Sequence, residues 1–217
     1  MHRAQHPGIL YFGTPVVLIS TLNEDRSANL APISSIFWLG WRCMIGVGAA
    51  AHTTANLLRT GECVINLPAV DQASAVDRLA LTTGSPHGPD GKARRGYVSC
   101  ADKFARAGLT AEPSELVAAP RVKQCPAQLE AKVAGKHQMA QNDWQGGAIC
   151  FELRVLRIHL EDSIMMAGEP DRVDPDLWRP LIMSFQKFYG LGPRLDPASL
   201  AQIPESLYRT PDHEARV

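Results

Sequence analysis

The chain has 217 residues, 45% hydrophobic and 20% charged, with Lys plus Arg and Asp plus Glu balanced at 22 each, the composition of one soluble globular domain with a sizeable core. A formal charge of zero leaves no global field to steer the protein onto nucleic acid or an anionic membrane, so neither is an expected partner. Five scattered cysteines, odd in number and without a C-x-x-C pair, exclude a zinc cage and fit a reducing, cytoplasmic compartment.

Pro15 to Leu22 contains the β-branched run Val16-Val17-Leu18-Ile19, which predicts a strand rather than a signal segment. A polar turn over Asn23 to Arg26 leads into a second extended segment, Ser27 to Leu39, and the pair reads as a hairpin. Pro32 cannot donate to a ladder, which puts this segment at an edge or a bulge. Arg42 to Gly48 is a third strand. Thr53 to Thr60 reads as a two-turn helix, with Thr53 or Thr54 as N-cap and Gly61 closing it in the left-handed conformation. Glu62 to Leu67 is a strand stopped by Pro68, and Asp71 to Leu81 reads as a second helix capped by Asp71.

Gly84 to Gly96 is a long glycine-rich loop with Lys92, Arg94 and Arg95, and Lys103 to Ala107 is a helical turn. Arg121 to Val133 and Ala148 to His159 read as two long strands. The last forty residues read as an irregular wrap, and residues 1–8 and 209–217 as frayed tails. Many strands with short helices between hairpins predict a mainly β chain, a closed barrel with peripheral helices. One domain spans residues 1–217.

Two stretches carry chemistry. Asn29-Leu30-Ala31-Pro32-Ile33-Ser34-Ser35 places hydroxyls and unpaired amides where they can meet the polar edge of a flat heterocycle. Gly48-Ala49-Ala50-Ala51-His52-Thr53-Thr54-Ala55-Asn56 ends a strand in small residues and enters a helix through threonines, a donor cluster suited to a phosphate. The stretch from Gly46 to Ala51 also matches the dinucleotide fingerprint G-x-G-x-x-A, but the helix begins after the glycines and the chain lacks βαβ alternation. No histidine spacing suggests a metal site, and no G-x-S-x-G elbow supports a hydrolase. His137 and His159 read as packed or solvated. Trp38 and Trp41 fit core or dimer packing as well as a place beside a ring.

Together the two stretches resemble the flavin reductase-like, FMN-binding split-barrel family. Asn29-Leu30-Ala31-Pro32-Ile33-Ser34-Ser35 is similar to that family's second strand. Ala51-His52-Thr53, Asn56 and Gly61-Glu62-Cys63-Val64-Ile65-Asn66-Leu67 match its phosphate region and following strand. Asp102 to Leu109, Pro126 to Glu130 and Tyr189 to Gly192 extend the likeness from about Gly13 to Leu195. The resemblance implies an FMN-binding split β-barrel, a cytoplasmic homodimer, and an NAD(P)H-dependent flavin oxidoreductase with NADH or NADPH as co-substrate. The alternative of the same fold is a non-enzymatic FMN carrier or redox sensor. The implied cofactor residues are Asn29, Ala31, Pro32, Ile33, Ser34, Ser35, Gly48, Ala49, Ala51, His52, Thr53, Thr54 and Asn56. No side chain is implied as catalytic, because flavin N5 carries the hydride chemistry. Ala51-His52 stands where the family usually has Lys-Asp, so the phosphate charge must be met by His52, or by Thr53, Thr54 and backbone donors.

Overall fold

The computed structural model describes residues 1–85, 90–142, 147–195 and 198–208. The strands are β1 (Phe12–Pro15), β2 (Val17–Leu22), β3 (Ala28–Ile33), β4 (Ile36–Leu39), β5 (Arg42–Gly48), β6 (Glu62–Leu67), β7 (Thr82–Thr83), β8 (Val98–Ser99), β9 (Ala111–Glu112), β10 (Arg121–Val122), β11 (Ala127–Met139), β12 (Ala148–Leu160), β13 (Ile182–Ser184) and β14 (Lys187–Tyr189). Between them lie helices α1 (His52–Thr60), α2 (Ala73–Asp77), α3 (Asp90–Arg94) and α4 (Lys103–Ala107).

Seven strands form one antiparallel sheet in the order β3-β2-β6-β11-β12-β5-β4. Its two edge strands, β3 and β4, are consecutive in the chain and separated only by Ser34 and Ser35. Two residues cannot span an open seven-stranded sheet, whose neighbouring strands lie roughly 4.8 Å apart. The sheet must therefore curl until its edges meet, which makes a barrel with its seam at Ser34-Ser35. The core agrees, since Val17 and Ile19 of β2 pack in one buried cluster with Ile36 of β4, Ile45 of β5 and Phe151 of β12.

Strand β2 is buried on both faces. Val17 and Ile19 point into the barrel, whereas Val16 and Leu18 pack outward against Val76 and Leu79 and against Phe104 and Ala107 of α4. That two-sided burial is why its sequence is a continuous apolar run rather than an alternating one.

Several expectations are corrected. Ser27 to Leu39 is not one segment; it breaks at the seam. The helix expected over Asp71 to Leu81 is a 3-10 turn (Val70–Gln72) followed only by α2, and Gln72 rather than Asp71 caps its start, accepting from the Ala69 amide. The strand expected from Arg121 starts at Ala127, because Val122 pairs instead with Ala111. The C-terminal wrap contains the hairpin β13–β14, which pairs with β1. Its turn residues Phe185 and Gln186 have φ of 43° and 65°, a conformation that glycine or asparagine usually signals. The glycine-rich loop holds α3, and β7 and β8 flank it as a parallel pair. Residues 1–8 carry no helix or strand; the tail 209–217 lies outside the described residues.

Candidate functional site

The site grows from a register. Strand β3 pairs only with β2, so Pro32 sits on an edge strand as its missing N–H requires. Asn29 stands opposite Thr21, Ala31 opposite Ile19 and Ile33 opposite Val17, which puts Asn29, Ala31 and Ile33 on the barrel-facing side. Leu30 and Pro32 fall on the other side, where Leu30 packs against the α2–α4 layer.

Helix α1 lies across the barrel end and delivers His52, Thr53 and Asn56 to this strand pair. The Asn29 amide donates to Thr21 Oγ1 and Thr53 Oγ1, both at 3.2 Å. Asn56 Nδ2 donates to Thr21 Oγ1 at 3.1 Å and to Asn23 Oδ1 at 2.9 Å. His52 Nε2 lies 2.7 Å from Asn23 Oδ1 and so carries the proton, since a carbonyl oxygen only accepts. These bonds leave the hydroxyl protons of Thr21 and Thr53 free to donate.

The threonines do not cap α1. The N-cap is Ala51, with no side-chain bond to the helix start. Thr54 turns back, donating from Oγ1 to the Gly48 carbonyl at 2.8 Å, and the Ala51 amide donates to the same oxygen at 2.9 Å. Gly48, Ala49, Ala51 and Thr54 therefore shape the entry to the helix, while Gly61 closes its far end at φ 67° as expected. Ser34 and Ser35 sit at the seam, where the Ser35 carbonyl accepts from the Gly46 amide at 2.8 Å. Trp38 and Trp41 pack against the barrel core.

Four residues absent from the sequence-derived set complete the cluster: Thr21, Asn23, Gly84 and Lys103. Lys103 Nζ donates to Asn29 Oδ1 at 3.0 Å, and the residue is only 3% exposed. Among the described residues no carboxylate pairs with it. Burial, and then the charge of Lys92, pull its amine down from 10.5 to about 8, with Cys100 opposing. His52 is also lowered, first by burial and then by Lys103, Lys92 and Arg59, with Asp25 opposing. Gly84 closes over the cluster; a Cβ there would sit 2.5 Å from His52 Cδ2 and 2.9 Å from Asn29 Oδ1.

The chain is a curled antiparallel barrel with a buried polar cluster where a short helix meets its edge strand, and the all-antiparallel seven-stranded sheet removes the Rossmann reading. Residues 9–192 match the flavin reductase-like domain family, and the chain belongs to that family. It is 37% identical over 186 residues to the uncharacterised protein YdfE of Bacillus subtilis, covering 86% of this chain and 87% of that one. In structure it is similar to flavoredoxin of Desulfovibrio vulgaris, with a TM-score of 0.72 at 20% identity, covering 93% of this chain and 99% of that one. It is also similar to nitrilotriacetate monooxygenase component B of Bacillus cereus, with a TM-score of 0.69 at 18% identity over 86% and 88% of the two chains. The fold is a mainly β split barrel of the flavin reductase type, and family membership implies flavin binding and suggests oxidoreductase activity. No described helix is long and apolar enough to cross a membrane.

Proposed function

We propose that the chain binds FMN at the Asn29–Thr53–Lys103 cluster and uses it to pass reducing equivalents from NADH or NADPH to flavin or to a further acceptor. The observation that carries this reading is the buried Lys103 ammonium, held among the described residues only by a neutral amide oxygen. A buried charge without a counter-charge is costly, and Lys92 raises the cost instead of lowering it. A phosphate ester supplies the missing anion, and the free hydroxyl protons of Thr21 and Thr53 add donors. The residues present thus fit a flavin nucleotide despite Ala51 and His52, with Lys103 furnishing the charge from another part of the chain.

Lys103, Thr53 and the amides at the start of α1 hold the phosphate, while Ala31, Ile33, Ser34 and Ser35 wall the ring along the edge strand and seam. When bound, the flavin supplies the hydride-accepting ring, and this chain's residues position it and exclude water. The exposed apolar side chains Phe37 and Leu39 on edge strand β4 support a homodimer, and the five unpaired cysteines support a reducing, cytoplasmic setting.

The test mixes purified protein with NADH or NADPH and FMN and follows nicotinamide absorbance. Oxidation above the protein-free rate supports the reductase reading. Tight FMN binding without oxidation would leave a carrier or redox sensor in its place. No binding of either FMN or riboflavin would remove both.

A further inference from the structure

Beside strand β5, which leads into α1, the ends of β11 and β12 bring three soft donors onto one face. In the antiparallel β11–β12 pair, His137 stands directly opposite Cys150, and Met139 opposite Ala148. Phe151 and Leu153 point into the barrel, so alternation turns Cys150 outward. Residues directly opposite share a face, and the diagonal neighbour Met139 is within reach of a long side chain. The contact is made: Cys150 Sγ lies 3.1 Å from Met139 Sδ.

The described surroundings leave this thiol half-exposed and give it no hard partner. On its other side Cys150 pairs with Gly46, which has no side chain, and Ser35 stands over that glycine, its Cβ 3.3 Å from where a Gly46 Cβ would sit. His137 and Met139 are exposed and Cys150 is half-buried. Among the described residues, the carboxylate two positions along the strand on this face, Glu152, is held by Arg42. Among the described residues no three of His, Cys, Asp and Glu converge, so no cage for a hard or borderline dication is built. A thiolate, a thioether and an imidazole are instead the ligands that select a soft monovalent ion, and the flexible Met139 side chain adapts to one.

We propose that His137, Met139 and Cys150 form a surface site for monovalent copper. Binding deprotonates the Cys150 thiol and releases one proton per ion, so affinity rises with pH. The other cysteines do not compete in the same way. Cys43, Cys63 and Cys125 are buried, and burial raises all three thiols. Cys100 is half-buried and, among the described residues, has no thioether or imidazole partner, so it serves as the internal control.

The test titrates Cu(I) anaerobically into the full chain against bicinchoninate. One ion per chain with near-ultraviolet thiolate-to-copper absorption is expected, lost in Cys150→Ser and unchanged in Cys100→Ser. Met139→Leu and His137→Asn should each weaken the site by at least about tenfold, the scale that losing even an outer-shell partner produces. The proposal is overturned if Cys150→Ser holds copper as tightly as the parent, if Cys100→Ser loses it, or if both partner variants bind with parental affinity. A second reading needs no variant: Ag(I) should shield Cys150, and not Cys100, from iodoacetamide, and equal alkylation of both overturns the site.

Discussion

Lys103 concentrates the electrostatics of the site in one group. Because it sits 74 residues from its partner Asn29, no short motif links the two; the sign in the sequence was only its place within Asp102 to Leu109, a stretch chosen for its likeness to a family. Lys103→Gln should weaken FMN by roughly tenfold to a hundredfold, the worth of one charge-assisted hydrogen bond. Riboflavin, which lacks the phosphate, should bind the variant as it binds the parent, and an equal loss for both ligands would move the phosphate elsewhere. The sign for stability is opposite. The folded amine, at about 8, lies below its ordinary 10.5, so the folded state disfavours the proton. That penalty is fully present below pH 8 and is relieved as pH rises toward 10.5. The ligand-free protein should therefore gain stability over that window relative to Lys103→Gln, while FMN binding loosens through it. Between roughly pH 6.5 and 7.5, above the phosphate's own second ionisation near 6 and below the loss of the Lys103 charge, the affinity should stay nearly flat. A loosening as pH rises through the histidine range below 6.5, opposite in sign to the tightening that ionisation of the phosphate gives, would return the charge to His52.

At the scale of the element, the strands that the sequence made legible are those whose ends are set locally. Arg42 to Gly48 alternates cleanly, and Glu62 to Leu67 runs between the left-handed Gly61 and Pro68. What stayed hidden is set by closure. Ser27 to Leu39 is extended throughout, and only the meeting of the two sheet edges divides it at Ser34-Ser35. The hairpin turn at Phe185-Gln186 was equally silent, because its left-handed residues carry side chains. Capping chemistry misled for a related reason: threonines at a helix start usually cap it, but here Thr53 is drawn to Asn29 and Thr54 to Gly48 by the barrel beneath. Thr54→Val tests that tie. It removes one of the donors to the Gly48 carbonyl and leaves the Ala51 amide on it, and should cost about 1 kcal/mol of stability, read as a lower denaturant midpoint at unchanged slope. A second element-level device lies at Glu130, which is fully buried. Its carboxylate accepts from the amides of Glu115, Leu116 and Val117 and faces His159 Nε2 at 2.7 Å. This places His159 in a specific pair where the sequence offered only packing or solvation. Glu130→Leu should strand all three amides, and hydrogen exchange should speed at residues 115–117 well before the barrel strands respond.

For the whole molecule, the organising fact is that β2 belongs to two cores at once. The barrel cluster takes Val17 and Ile19, and the helical layer takes Val16 and Leu18 together with Phe104, which neighbours Lys103 in α4. The site therefore sits between two cores, with Asn29 and Thr53 tied to the barrel strands and Lys103 carried by the outer layer. If the layer were a loosely attached lid, it would melt first and take Lys103 with it. The shared strand argues instead for one cooperative unit. Leu18→Ala removes apolar volume from the outer layer and Ile19→Ala from the barrel, and both positions are essentially fully buried. Each should cost about 2–5 kcal/mol, and in each the far-ultraviolet and tryptophan signals should fall in a single coincident transition. Were Leu18→Ala to split the unfolding, with FMN affinity lost in a first step while the barrel signal persisted, the layer would be an independent unit and Lys103 a removable part of the site.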